Sequence, residues 1–148
     1  MPQNDNNTIN SLDYTAVSKH NKRRVYKGFF SVEEHKLSYK KFDGSQSEVV
    51  TRSALVSSEA VIVLPYDPVS DRVLLVEQFR TGPYVKGDTN PWVLESIAGL
   101  IDVGETPVET GLREAKEEAH LEIKHMELVA RSYSSPRIST ELFHQYIG

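Results

Sequence analysis

The stretch from Gly99 to Leu121 reads GLIDVGETPVETGLREAKEEAHL, and it carries the densest chemistry of the chain. Glu114, Glu117 and Glu118 fall in one helical run, where residues three and four apart share a face. Like charges at this spacing destabilise a helix by about 0.2–0.5 kcal/mol per pair. One interpretation is an acidic face turned to solvent. The other is a site for a hard cation such as Mg²⁺, which takes carboxylate oxygens together with water and phosphate.

The residues around these glutamates favour the cation. In chain order the pattern is Gly99, Glu105, Arg113, Glu114, Ala115, Glu117, Glu118 and Leu121. It resembles the Nudix box, the signature of hydrolases that cleave a nucleoside diphosphate linked to another group. One position departs, because His120 stands where the family usually has a glycine that ends the helix in a left-handed conformation. This departure concerns the helix exit rather than the metal site, since the four glutamates and the arginine are all present.

The composition limits the kinds of partner. The 148 residues suffice for one domain with a small extension, and a net charge of −4 argues against general nucleic-acid binding. The absence of cysteine excludes disulfides and thiolate zinc sites. No apolar run approaches the roughly 20 residues that cross a bilayer, and the polar start MPQNDNNTINSLDY lacks the layout of a signal peptide. We therefore expect a cytoplasmic protein that binds neither nucleic acid nor membranes.

Residues 1–57 are predicted to form an N-terminal β domain whose first residues, to about Asn10, are mobile. Apolar residues indicate one strand through Val25–Val32 and another through Leu37–Phe42, followed by the hairpin signal Asp43-Gly44 and a return strand over Ser47–Leu55. The basic run Lys19–Arg24 is interpreted as a solvated strand edge.

Residues 58–148 are predicted to form an α/β domain. The helix has strong local signals, because Thr106 and Glu109 form a capping box and Pro107 takes the first helical position. The predicted elements are a buried central strand Ala60–Leu64, strands Arg72–Gln78 and Trp92–Ala98 separated by a loop Thr81–Pro91, the helix Pro107–Ala119, a strand Ile123–Tyr133, a loop Ser134–Thr140 and a strand Glu141–Ile147. Trp92 is interpreted as core, and the five histidines, including His144, as surface or edge residues.

Beyond the box, the chain from Arg24 to Gly148 resembles the bacterial ADP-ribose pyrophosphatases of the Nudix superfamily. The resemblance rests on YKGFFSVEEHKLSYKKFDG, VLPYDPVSDRVLLVEQFR, NPWVLESIAGLIDVGE and SSPRISTE, and on Pro136, which stands at a marker position of this subgroup. It implies an α/β/α sandwich with a mixed sheet, preceded by a small antiparallel β domain that is exchanged across a homodimer. The implied reaction is hydrolysis of ADP-ribose to AMP and ribose 5-phosphate with two or three Mg²⁺ ions, Mn²⁺ being the alternative metal.

The resemblance also implies site residues. Metal ligands would be the Ala98 carbonyl, Glu114 and Glu118, with Glu117 close by. Arg113 lies four residues before Glu117, and this spacing predicts that it orients the carboxylates. For Glu105 two roles stay open, a contact with Arg113 and a contact with a metal through water. Substrate groups would contact Phe29 and Phe30 of the partner chain, Arg52, Arg80, the Leu100 backbone, Ser135, Pro136, Arg137 and Glu141. Arginine suits a phosphate because it binds bidentately. Adjacent strand residues point to opposite faces, so one phenylalanine would lie in the core and the other would be free to stack on adenine. The alternative interpretation is that both phenylalanines are core residues.

Two other functions stay open. The box handles the diphosphate, so another nucleotide sugar such as ADP-glucose or GDP-mannose is an alternative substrate. A non-catalytic module that senses ADP-ribose is the second alternative. The resemblance further implies a C-terminal continuation that supplies another acidic metal ligand and the general base. We therefore expect the Nudix domain to be incomplete at its C-terminus and these 148 residues alone to turn over weakly or not at all.

Overall fold

The computed structural model describes residues 12–148. The predicted mobility of the first ten residues lies outside this range. The chain divides into two compact units, one ending at Val56 and the other running from Ser57 to Gly148. Within the described residues no helix is both long enough and apolar enough to span a membrane.

The N-terminal unit is a three-stranded antiparallel sheet in the order β1-β2-β3. A single 3-10 turn at Tyr14–Ala16 precedes β1 (Val17–Lys27), β2 (Ser31–Tyr39) and β3 (Val50–Val56). The basic run lies on the outer strand β1, every residue of which is exposed, so its interpretation as a solvated edge is confirmed. The predicted strand through Val25–Val32 is wrong in one respect, because the chain turns between β1 and β2. Phe29 and Phe30 lie in that turn, 89% and 40% exposed, and neither is a core residue.

The C-terminal unit is built on a mixed four-stranded sheet in the order β10-β11-β4-β9. Its elements are β4 (Ala60–Leu64), β5 (Tyr66–Asp67), β6 (Arg72–Val73), β7 (Val76–Phe79), α1 (Thr81–Lys86), β8 (Trp92–Glu95), β9 (Ile97–Leu100), α2 (Pro107–Ala119), β10 (Glu127–Tyr133) and β11 (Leu142–Ile147). Strands β4 and β11 are parallel, and the other pairs are antiparallel. The predicted α/β fold with a mixed sheet and a small N-terminal antiparallel sheet is confirmed.

Helix α2 begins and ends as its sequence predicts. Thr106 and Glu109 form the reciprocal capping box, with the Thr106 N–H donating to Glu109 Oε2 at 2.8 Å. The helix ends at His120, which adopts the left-handed conformation (φ 54°, ψ 31°) that glycine usually takes. The histidine at the departing position therefore preserves the helix exit.

The core lies between α2 and one face of the sheet. Val61 and Val63 of β4, Ile97 of β9 and Ala115 of α2 are all buried. Gly111 of α2 lies so close to β4 that an added Cβ would come within 3.0 Å of Val63 Cγ2. The interpretation of Ala60–Leu64 as a buried central strand is confirmed.

Several local predictions are wrong. The stretch Thr81–Pro91 contains α1 rather than only loop, and the two predicted strands on either side of it each break in two. The breaks occur because β7 and β8 pair with each other as a separate ribbon. Trp92 lies on that ribbon, 54% exposed, rather than in the core. His144 is buried, at 6% exposure, and its Nε2 lies 2.6 Å from Glu59 Oε2.

Candidate active site

Glu114 of α2 packs directly against strand β9. Its side chain is only 15% exposed, which excludes a carboxylate that is simply solvated. The contact depends on Gly99, because a Cβ at that position would lie 1.9 Å from Glu114 Oε1. The glycine therefore leaves space for the carboxylate beside the strand.

Glu118, one turn further along α2, is held against the neighbouring residue of β9. Its Oε2 accepts a hydrogen bond from the Ala98 N–H at 3.3 Å. Its Oε1 accepts one from Gln78 Nε2 of β7 at 2.5 Å. Two carboxylates of the helix thus meet two adjacent residues of β9.

The edge of β9 adds backbone groups to this site. Strand β9 pairs with β4 on one side only, and the Ile101 N–H donates to the Glu59 carbonyl at 2.9 Å. Because bonding alternates along an antiparallel pair, the N–H and C=O groups of Ala98 and Leu100 point away from β4. The Ala98 carbonyl consequently lies on the free edge, the side from which Glu118 approaches.

Arg113 connects the carboxylates of the box. Its guanidinium donates to both oxygens of Glu105, at 2.9 and 3.0 Å, to Glu114 at 2.7 Å and to Glu117 at 3.3 Å. Hydrogen bonds from Arg113 and then Thr110 lower the pKa of Glu105 to about 2. Hydrogen bonds to Glu105 and then Glu114 raise the pKa of Arg113, so the ion pair of Arg113 with Glu105 is charged at neutral pH. Glu117 is the outer member, with its side chain 60% exposed.

A cavity of about 530 Å³ opens beside β9 on the face of the sheet opposite α2. The residues that line it come from four strands and the loops next to them: Ala60, Ile62, Arg80, Glu95, Ser96, Ala98, Gly99, Leu100, Glu141 and Phe143. Arg80 follows β7, and its guanidinium forms an ion pair with Glu95 of β8, with Nε 2.7 Å from Oε1. The structure thus gathers Arg80, Ala98, Leu100 and Glu141, all of which the sequence predicted, around one cavity.

The donor set at β9 fits a hard divalent cation. Among residues 12–148 no three His, Asp or Glu side chains form a ready-made metal cluster. The two carboxylates and the peptide carbonyl on the free edge are all oxygen donors, and Mg²⁺ binds through one or two carboxylates while water and phosphate complete its shell. The space that Gly99 leaves for Glu114 is the structural feature that brings these donors together.

The remaining predicted residues lie elsewhere. Ser135, Pro136 and Arg137 lie in the loop between β10 and β11, and this loop is tied down where the Thr140 hydroxyl donates to the Ser57 carbonyl at 3.1 Å. Phe29, Phe30 and Arg52 belong to the N-terminal unit, where Arg52 Nη1 donates to the Thr51 carbonyl at 3.1 Å.

Two residues that the sequence pattern did not single out, Gln78 and Glu95, contact predicted site residues. Gln78 holds Glu118, and Glu95 holds Arg80 and lines the cavity. A weak signal was available, because residues two apart on a strand share a face. Gln78 therefore shares a face with Arg80, and both are half-buried.

Comparison with known proteins agrees with this geometry. The model of the family described as NUDIX domain matches residues 56–147. A solved structure of an ADP compounds hydrolase superposes with a TM-score of 0.70 over 93% of this chain and 69% of that chain, at 23% sequence identity. That similarity supports the fold.

Similar curated proteins include the ADP-ribose pyrophosphatase of Haemophilus influenzae, 39% identical over 126 residues, which are 84% of this chain and 58% of that protein. The ADP-ribose pyrophosphatase of Escherichia coli K12 is 37% identical over 84% of this chain and 59% of its own length. The GDP-mannose pyrophosphatase of Yersinia enterocolitica is 32% identical over 74% of this chain and 58% of its own length. The chain thus spans less than two thirds of these relatives. With the box geometry intact and the family model matching 92 residues from 56 to 147, the chain belongs to the NUDIX domain family.

Proposed function

We propose that this chain acts in the Mg²⁺-dependent hydrolysis of ADP-ribose to AMP and ribose 5-phosphate. The observation that carries the proposal is the placement of Glu114 and Glu118 against Ala98 and Gly99, two residues of β9 that also line the cavity together with Arg80. The similarity to proteins named ADP-ribose pyrophosphatase supports the choice of substrate.

The proposed metal ligands are Glu114, Glu118 and the Ala98 carbonyl. Divalent metal supplies positive charge that offsets the diphosphate, and it acts as a Lewis acid toward the phosphoryl oxygens. Arg113 keeps Glu114 in place, because it donates to that carboxylate and is itself fixed by Glu105. Glu105 and Arg113 therefore serve to orient one ligand, Glu114, which is the usual work of groups just outside a metal site.

Arg80 is the proposed phosphate-binding residue. Its guanidinium lies at the cavity in an ion pair with Glu95, so it is already oriented before substrate enters. A guanidinium can donate two parallel hydrogen bonds to phosphate oxygens. Glu141 and the Leu100 backbone are the other proposed substrate contacts at this cavity.

The loop residues Ser135, Pro136 and Arg137 and the N-terminal Phe29, Phe30 and Arg52 complete the proposed substrate site, the N-terminal residues acting from the partner of a homodimer. Phe29 is 89% exposed and therefore available to stack on a nucleobase.

A second candidate is hydrolysis of another nucleotide sugar, favoured by the similarity to a GDP-mannose pyrophosphatase. Product analysis decides between the candidates. We would incubate enzyme in excess over ADP-ribose, ADP-glucose or GDP-mannose, with Mg²⁺ or with EDTA, and separate the nucleotides. The proposal expects AMP to appear fastest from ADP-ribose and not at all with EDTA. Preference for GDP-mannose supports the second candidate, and metal-independent binding of ADP-ribose without cleavage favours a sensor.

A further inference from the structure

Gln78 connects strand β7 to the proposed metal site over a long distance in sequence. Its amide nitrogen donates to Glu118 Oε1 at 2.5 Å across 40 residues of chain. A carboxylate only accepts hydrogen bonds, so the chemistry assigns the amide nitrogen, rather than the amide oxygen, to this contact. The other oxygen of Glu118 accepts from the Ala98 N–H. Each oxygen is therefore oriented by one neutral donor and keeps a lone pair for a cation.

The neutrality of Gln78 matters for the charge of the site. Glu105, Glu114, Glu117 and Glu118 are balanced locally by one cation, Arg113, which contacts the first three. A lysine or arginine in the place of Gln78 would cancel the charge of Glu118 and compete with a divalent ion. An amide fixes the carboxylate and leaves its negative charge available.

The surroundings explain how Gln78 can hold this position. Strand β7 pairs with β8 from Val76 to Phe79, so the backbone of Gln78 is fixed inside a two-stranded ribbon. Its side chain is half-buried and shares a face with Arg80, whose guanidinium is held by Glu95. Gln78 and Arg80 thus lie on one face of β7 and the residue that follows it, and they contact Glu118 and Glu95 respectively.

We infer that Gln78 is a positioning residue for the metal-binding carboxylate of Glu118. The inference deepens the proposed function and rests on it, because it concerns a ligand of the proposed metal site. Loss of a group that orients a metal ligand typically weakens metal binding by 10- to 100-fold, about 1.4–2.7 kcal/mol. Gln78→Met keeps the length of the side chain and removes the donor, so we expect Mn²⁺ to bind about tenfold more weakly.

The test measures Mn²⁺ binding to the 148-residue chain by electron paramagnetic resonance, without substrate. Gln78→Met is compared in the parent and in the Glu118→Gln background. The matched control is Gln145→Met, a half-buried strand glutamine whose amide donates to the Ser132 hydroxyl at 2.7 Å. Thermal unfolding of each variant reports on the fold.

Three results together support the inference. Gln78→Met binds Mn²⁺ more weakly than the parent, Gln78→Met causes no further weakening in the Glu118→Gln background, and Gln145→Met binds like the parent. The second result is expected because the effects of residues that act through one another are non-additive. Unchanged binding in Gln78→Met overturns it, as does an equal loss in both backgrounds or in the control. Substrate is absent from this measurement, so its outcome is separate from that of the proposed function. If Mn²⁺ binding depends on Gln78 and Glu118 but the protein cleaves no nucleotide sugar, the proposed function is refuted and the inference about Gln78 stands.

Discussion

Replacement of Gly99 by alanine tests the contact that brings helix and strand together. The new Cβ would lie 1.9 Å from Oε1, 2.2 Å from Cδ and 2.5 Å from Cγ of Glu114, so the whole end of that side chain must move. Gly99 does not have a positive φ, so alanine introduces no backbone strain of its own. The expected damage is therefore confined to the position of one carboxylate.

The magnitude follows from the bonds that the movement breaks. Glu114 loses its charge-assisted hydrogen bond to Arg113, a loss of about 2 kcal/mol for groups that are largely buried. Replacing glycine restricts the unfolded chain and returns roughly 0.5–1 kcal/mol. We expect a net loss of about 1–1.5 kcal/mol, which for a unit of this size lowers the melting temperature by roughly 4–12 °C. Metal affinity and turnover should fall at least about tenfold.

Thermal unfolding and Mn²⁺ titration of Gly99→Ala check these numbers. Gly82→Ala is the matched control, because its Cβ meets nothing within 4 Å and alanine favours helix α1. In a Glu114→Ala background the clash is gone, so Gly99→Ala should no longer destabilise the fold. Parental stability and Mn²⁺ affinity in Gly99→Ala would refute the reasoning.

Three further predictions follow from the same region. The pKa of Glu105 is about 2 in the folded chain, so the stability that its carboxylate contributes is present above about pH 4.5 and is lost as the pH falls toward 2. Melting temperatures measured across this pH range should therefore fall less steeply in Glu105→Gln than in the parent. Arg80→Lys should weaken ADP-ribose binding about tenfold in calorimetry, because lysine lacks the bidentate fork. Gly111→Ala should destabilise by about 1 kcal/mol in urea unfolding, since its Cβ would press on the buried side chains of Val63 at 3.0 Å and Val61 at 3.2 Å, and the higher helix propensity of alanine offsets only part of that cost. Unchanged behaviour in any of these variants contradicts the corresponding contact.

The elements that sequence predicts well are those specified by local chemistry. Helix α2 has its capping box and its first-position proline in the local sequence, so its beginning follows from the sequence, whereas its end at His120 does so without the usual glycine. The central strand β4 is recognisable because it is apolar throughout and ends at a proline. The box likewise places Glu114 and Glu118 one helical turn apart without any tertiary information.

The predictions that failed depend on partners distant in the chain. Trp92 is exposed because β8 leaves the main sheet and pairs with β7. His144 is buried because it lies on the sheet beside Val61 and meets Glu59, 85 residues away. Gln78 belongs to no motif, and only the folded chain brings it to Glu118. Contacts between elements distant in the chain, rather than local propensity, decided each of these positions.

The most direct test of the proposed metal site measures AMP release from ADP-ribose as Mg²⁺ is varied, in the parent chain and in Glu118→Gln. Glutamine keeps the shape of the side chain and removes one charge that a cation needs. With either protein in excess over ADP-ribose, we predict slow, Mg²⁺-dependent AMP release by the parent, at least about tenfold slower release by the variant and a higher Mg²⁺ concentration for half-maximal rate. Equal rates and equal Mg²⁺ dependence in the two proteins would contradict the assignment of Glu118 as a metal ligand.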